Sequence, residues 1–205
     1  MKKISRALPL VLVMLGSGLL GACATGQQAS LAFYDLGSTH TARAVAPAAG
    51  LPPLAIAEID APAWLDSPIM YYRLSYANDH EPRPYAGSRW NTPPAQLFAQ
   101  RLKSRMGQAG GAVLSASDGA TNVPVVRIET DEFMQRFDSP GQSSAQVTMR
   151  VAVLNNRTLV AHRTFSKQVA AQSADAAGGV RALSEASDAA IAEIIAWLAG
   201  LPLKK

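Results

Sequence analysis

Cysteine is almost missing from this chain: Cys23 is the sole one in 205 residues. A lone thiol excludes an internal disulfide, a cysteine zinc cluster and a CxxC redox pair. Histidine is nearly as scarce. His40, His80 and His162 are the full set, and none has a carboxylate or second histidine at a ligand-like helical spacing, so HExxH-type metal chemistry is excluded. A GxSxG elbow and a Walker-type glycine loop are absent too. No apolar run reaches the roughly 20 residues that a membrane-crossing helix needs. Acids are missing from the first 22 residues, where Lys2, Lys3 and Arg6 stand. Without those three cations the chain holds 16 Lys+Arg against 15 Asp+Glu, a formal charge of +1. The basic character therefore belongs mostly to the leader, and a nucleic-acid role loses its support.

What is present at the start is an address. Lys2, Lys3 and Arg6 form a positive region, Ala7 to Leu20 a short apolar run, and Leu20-Gly21-Ala22-Cys23 closes it with small residues before the cysteine. This is the pattern of a bacterial lipoprotein signal. Leu20 fits the apolar position three places before the cysteine, cleavage falls between Ala22 and Cys23, and the Cys23 thiol takes a diacylglycerol. The new amino group then accepts a further acyl chain. One chain binds a bilayer only marginally, whereas two or more hold a protein almost permanently. This N-acyl diacylglycerol is the only covalent group expected; no other cofactor and no metal is assigned. Residues 1–22 are thus the signal, 23–30 a lipidated tether with a coil span of about 15 Å, and 31–205 a single periplasmic domain. Ala24 after the cysteine, in place of the Asp that favours inner-membrane retention in enterobacterial lipoproteins, points to the periplasmic face of the outer membrane.

Periodicity predicts an α+β fold. Leu31–Leu36, Leu54–Ile59 and Ile69–Ser75 are strand-like, and Pro62 to Pro68, with Trp64 and Leu65, separates the last two. Gly37–Pro53 reads as a long loop, and Tyr76–Trp90 shows no period. Thr92 is the expected N-cap, with Pro93 at the first helical position, of a helix to about Met106 that turns Leu97, Leu102 and Met106 inward. Gly107 and Gly110-Gly111 stop it. Ser144–Val153 alternates apolar and polar residues, the mark of an antiparallel strand with one wet face. Val123–Phe133 before it and Thr158–Lys167 after the Asn155-Asn156-Arg157 turn complete a meander, with a bulge near Asp131 where the phase slips. A last helix, about Gly179–Ala199, carries a stripe of Val180, Leu183, Ser187, Ala190, Ile191, Ile194 and Leu198. The expected architecture is a two-layer sandwich, an antiparallel sheet covered on one face by two helices.

Chemistry is sparse. Asn78-Asp79-His80-Glu81 is the one dense polar cluster; consecutive loop residues point in different directions, and a solvated turn before Pro82 and Pro84 is the better account than a metal site. No catalytic residue is assigned, because no nucleophile has a placed base. The aromatic residues Tyr71, Tyr72, Tyr76, Tyr85 and Trp90 suit either a partner surface or a core. Core is favoured for Tyr72 and Trp90 and the choice is even for Tyr76 and Tyr85. Tyr76, Tyr85 and Trp90 are the candidate partner contacts.

The order of features resembles the auxiliary lipoproteins of ABC-type lipid transport systems, the group that includes the paraquat-inducible-type outer-membrane lipoprotein. The likeness begins at Cys23 and Tyr34-Asp35-Leu36 and continues through Pro62-Ala63-Trp64-Leu65-Asp66, Tyr72-Arg73 and Arg89-Trp90. Pro93-Pro94 then leads into Leu97 and Leu102, Glu132-Phe133-Met134-Gln135-Arg136-Phe137-Asp138 follows, and Trp197-Leu198 ends the closing helix. Asn91 departs from the small or acidic residue expected after the tryptophan. The resemblance implies a non-catalytic role as auxiliary component of a system with a permease, an ATPase and an MCE-domain periplasmic protein, which this lipoprotein docks at the outer membrane. Phospholipids or other hydrophobic compounds are the implied cargo. Self-association into a homo-oligomer stays open, as does the alternative of a stand-alone envelope lipoprotein with a structural or small-ligand-binding role.

Overall fold

The alternation in Ser144–Val153 becomes the middle strand of a long meander. In the computed structural model, which describes residues 30–38, 51–57, 59–119 and 122–203, β6 (Val125–Ser139), β7 (Gln142–Asn155) and β8 (Thr158–Ala170) pair antiparallel in sequence order. Ala145, Val147, Met149, Val151 and Val153 are all at most 1% exposed. They fill one face because side chains two residues apart share it. Asn156 and Arg157 both take positive φ, 47° and 68°, which suits the twist of a tight hairpin. The ladder between β6 and β7 shifts register between Thr130 and Glu132, as the phase slip predicts. There Asp131 turns outward and accepts two bonds from Arg150 Nε and one from Nη2. The leader, Ala22, Cys23, most of the tether, His40 and most of the loop Gly37–Pro53 lie outside the described residues.

The rest of the sheet corrects the expected architecture. The shorter strands are β1 (Ala32–Tyr34), β2 (Leu54–Ile56), β3 (Ile69–Leu74), β4 (Pro82–Trp90) and β5 (Val113–Ser115). β1 pairs parallel with β4, β2 parallel with β5 and β6, and β3 parallel with β6, while β3 and β4 are antiparallel. The eight-stranded sheet is therefore mixed and curled, not antiparallel. It forks at β6: Val125 and Val126 sit beside Ala55 and Ile56 of β2, whereas Gln135–Phe137 sit beside β3. Three-residue strands are too short to show a period that would tell parallel from antiparallel pairing, so β1 and β2 read as strands while their parallel pairing leaves no local trace.

Tyr76–Trp90, which lacks periodicity, holds the nine-residue β4. Between Ile69↔Arg89 and Tyr71↔Pro84, β3 advances two residues and β4 five, so a bulge scrambles the alternation. Pro82 and Pro84 are tolerated because β1 pairs with β4 only at Ser88–Trp90, leaving their other edge unpaired among the described residues.

Helix α1 (Pro94–Gln108) begins one residue later than expected. Pro93 is its N-cap without a side-chain cap; Thr92 does not cap it, and the Thr92 hydroxyl is buried with no hydrogen-bond partner among the described residues. Two consecutive prolines explain the shift, since Pro94 fits the first helical position and has no N–H to lose. The helix stops where Gly110 takes φ +84° and Gly111 N donates to Met106 O at 3.0 Å. Helix α2 (Ala176–Ala199) lies over β6, β7 and β8, and α1 packs beside it. Of its expected stripe all but Val180 are buried.

Asp175 caps α2, accepting from Gly178 N at 2.7 Å. That backbone bond, followed by one from the Ser173 hydroxyl, holds its carboxyl below the usual aspartate range. A carboxyl depressed in the fold stabilises above its unfolded pKa, near 3.9, and the contribution is lost as pH falls through the folded value. Asp175→Ala should cost about 1 kcal/mol near neutrality and flatten the acid side of the stability–pH curve measured by urea titration. The first turn of α2 also needs glycine. A Cβ on Gly179 would overlap the Gln135 side chain, and one on Gly178 the Ser173 carbonyl. Gln135 cannot easily yield, being fully buried and bonded to both Tyr85 and Ser143. Gly179→Ala is expected to destabilise by about 1–3 kcal/mol, read from the same titration, with Gly178→Ala worse because backbone must move.

Candidate functional site

The three aromatic candidates do not share a surface. Trp90 is 1% exposed and meets Phe133 edge to face, ring centroids 5.7 Å apart. It is a core residue, placed there by the end of β4, and has no surface to offer a partner. Tyr85 is half-buried, 4.6 Å from the Tyr72 ring, and its hydroxyl donates to Gln135 Oε1 at 2.8 Å. Burial first, then Tyr72 and Asp175, raises its pKa well above the ordinary tyrosine value. Gln135 in turn donates to Ser143 Oγ at 2.8 Å, so this tyrosine anchors a buried polar chain beneath the start of α2. Tyr76 alone keeps an open ring, 48% exposed on the turn after β3.

The polar cluster at 78–81 is consumed by its own turn and its neighbours. Ser75 Oγ donates to Asp79, His80 N to Asn78 Oδ1, and Arg136 reaches Asp79 at 2.9 Å. Glu81 pairs with Arg83 at 2.8 Å. The Ser75 bond, followed by the charges of Arg136 and Arg73, lowers the Asp79 pKa. Among the described residues no three of His, Cys, Asp and Glu converge as metal ligands. His162 stands exposed on β8 opposite Ala152.

The least expected arrangement lies between the helices. Arg101 and Arg105 occupy the buried face of α1 with Leu97, Phe98, Leu102 and Met106. Arg101 forks onto Asp188 of α2, Nε and Nη2 each 2.7 Å from a carboxylate oxygen. Its remaining Nη1 donates to the Leu36 and Gly37 carbonyls at 2.8 and 3.1 Å. Arg105 reaches the same carboxylate at 3.2 Å. Ser184 Oγ adds a second donor to Leu36 O, at 2.6 Å. A bidentate guanidinium is well suited to such a site because its planar fork satisfies a carboxylate and still has donors left. Above the cluster opens a groove of about 440 Å³ bordered by Phe33, Leu36, Val180, Arg181 and Ser184. The Ser184 hydroxyl on its border gives its proton to the Leu36 carbonyl, not to a base.

A family model for the ABC-type transport auxiliary lipoprotein component matches residues 34–195. The chain belongs to this family. The match takes in the described body of the auxiliary lipoprotein from the end of β1 to most of α2. A protein from Xanthomonas campestris shares its fold, with a TM-score of 0.68 at 22% identity, over 82% of this chain and 94% of that one. A second solved structure of an uncharacterized protein superposes at TM-score 0.65 with 15% identity, covering 81% and 97%. At these identities the likeness concerns the fold alone. A comparison with curated proteins finds no match.

The helical phase of Arg101 and Arg105 was readable, since both fall on the Leu97–Met106 stripe, but a charged residue there looks like a break in the apolar face. In the auxiliary lipoprotein both arginines reach α2 through the Asp188 carboxylate, and Arg101 also holds the end of β1 through the Leu36 carbonyl. Asp188→Asn leaves two buried guanidinium groups facing a neutral amide and should cost about 3 kcal/mol, the low end for stranding a buried charge because Asp188 is partly exposed. Arg105→Met removes one cation and leaves Arg101 forked onto Asp188, and should cost less. Urea unfolding of both variants checks the order.

Proposed function

We propose that this auxiliary lipoprotein is a non-catalytic, lipid-anchored component of the outer membrane, on its periplasmic face, that docks the MCE-domain periplasmic protein of an ABC-type lipid transport system there. The observation that carries the reading is a family match spanning residues 34–195 directly behind the Leu20-Gly21-Ala22-Cys23 signal. A transport system energised at the inner membrane needs a receiver across the periplasm, and an anchored domain supplies one. Confinement near a surface raises the effective concentration of a weak binding site without new contacts. Acyl chains on Cys23 would supply that confinement, since two or more chains hold a protein on a bilayer almost permanently. Tyr76, the sequence-predicted contact with an exposed ring, is the residue proposed to meet the partner, by the low entropy cost of ordering an aromatic side chain.

Two measurements test this. Cys23→Ala should leave the chain soluble or with its signal uncleaved, and outer-membrane sedimentation after normal cleavage would refute the anchor. A photo-crosslinking residue at position 76 in growing cells should capture an MCE-domain protein; absence of any such adduct, together with unchanged outer-membrane lipid balance on deletion, would remove the transport role.

A further inference from the structure

β1 is the first described strand after Cys23, and two large apolar side chains stand on its outward side. Leu31 is 44% and Phe33 61% exposed. By the two-residue period Leu31, just before the strand, and Phe33 share one side, with the exposed Asp35 following them at its far end, while Tyr34 packs against the core and Leu36 is buried within it. The strand is held to the body and does not trail from it. Its residues pair with Ser88, Arg89 and Trp90 of β4, Asn91 N donates to Tyr34 O at 2.8 Å, and Leu36 O takes bonds from Arg101 and Ser184. Eight residue steps separate Leu31 from Cys23. They reach at most about 29 Å when fully extended, and a relaxed coil of that length spans only about 15 Å.

From the exposure of these side chains, the rigid seating of their strand and the shortness of the chain that leads to them, we propose that Leu31 and Phe33 form a membrane-contact edge. On this view the domain rests on the phospholipid surface that holds its anchor, with both side chains at the headgroup–acyl boundary, where leucine and phenylalanine are favoured residues of interfacial segments. The proposal rests on the lipoprotein reading given above. It adds an orientation to it: a lipid alone leaves a domain free to tumble, whereas a second, rigid apolar contact fixes which face looks into the periplasm. Leu159, 55% exposed at the start of β8, follows the hairpin turn at Asn156 and Arg157 and has no such link to the anchor, which makes it the internal control.

The test uses the mature, lipidated full-length protein in vesicles of phosphatidylethanolamine and phosphatidylglycerol. Because Cys23 is the only cysteine, Leu31→Cys, Phe33→Cys and Leu159→Cys each add one thiol for a nitroxide label. Power-saturation measurements should show labels 31 and 33 shifted toward oxygen accessibility and away from a water-soluble nickel chelate, with label 159 showing the reverse. Labels at 31 and 33 as accessible to nickel as the label at 159 overturn the membrane-contact edge. Burial of 31 and 33 only after an MCE-domain protein is added also overturns it, in favour of protein docking. The underlying reading fails separately and visibly: an unlipidated chain takes up nitroxide at Cys23 without any substitution and does not float with the vesicles, and that result refutes both.

Discussion

The carbonyl of Leu36 is where the parts of this molecule are tied together. Arg101 from α1 and Ser184 from α2 both donate to it, and the same guanidinium forks onto Asp188. One buried group thus fixes the angle between the helices and the place where β1 gives way to the following loop. The arrangement departs from ordinary helix packing, in which apolar ridges alone would set the geometry. Hydrophobic contacts tolerate sliding; a bidentate ion pair with two further backbone acceptors does not. A net-apolar replacement of similar shape is often as stable as a buried ion pair, so the distinctive contribution of Arg101 is registry, holding a three-residue strand that could not hold itself.

A second buried polar chain performs the same task at the start of α2. Tyr85 from β4, Gln135 from β6 and Ser143 from β7 form a line of hydrogen bonds under Gly178 and Gly179. The glycines let the helix approach the sheet closely enough to cover this chain, and Asp175 satisfies the exposed end of the first turn. Each element would be costly alone: an unpaired buried amide is expensive, and glycine inside a helix sacrifices backbone entropy. Together they specify one seating of α2 on the sheet. At the far side of that helix Glu193 meets both Arg163 and Lys167 of β8, 2.6 and 2.5 Å away, so charged side chains on the inward side of the edge strand are matched, not left facing the core.

How much of this was legible depended on the range over which each feature is encoded. The β7 alternation, the α2 stripe and the slip at Asp131 are local patterns, and local patterns survive in a single sequence. The parallel pairings of β1, β2 and β5 are fixed by partners far along the chain, and strands of three residues are too short to record them. β4 was hidden by its own bulge and by prolines that mark an unpaired edge. Among candidate residues, Trp90 went to the core because β4 ends there, and Tyr76 stayed open because it sits on a turn. Arg101, Arg105 and Asp188 were missed for a simpler reason: an arginine on an apolar helical stripe reads as a break in that stripe until its acceptor is known, and Asp188 lies 87 residues away from Arg101.

These constraints meet at β1. A strand so short contributes few ladder bonds, and on entropy grounds the first residues of a domain should fray. Here they are secured on one side by β4 and at the far end by Arg101 and Ser184, while the side chains of Leu31 and Phe33 remain in the open. Securing a strand in order to expose two large apolar groups has no advantage for stability, because exposed leucine and phenylalanine gain nothing from folding. It has one for orientation. If the proposed anchor is correct, the ion pair in the interior and the apolar edge at the surface are two ends of one device: the first makes β1 rigid, and rigidity is what would let a lipid on Cys23, a few residues away, set the direction in which the whole domain faces.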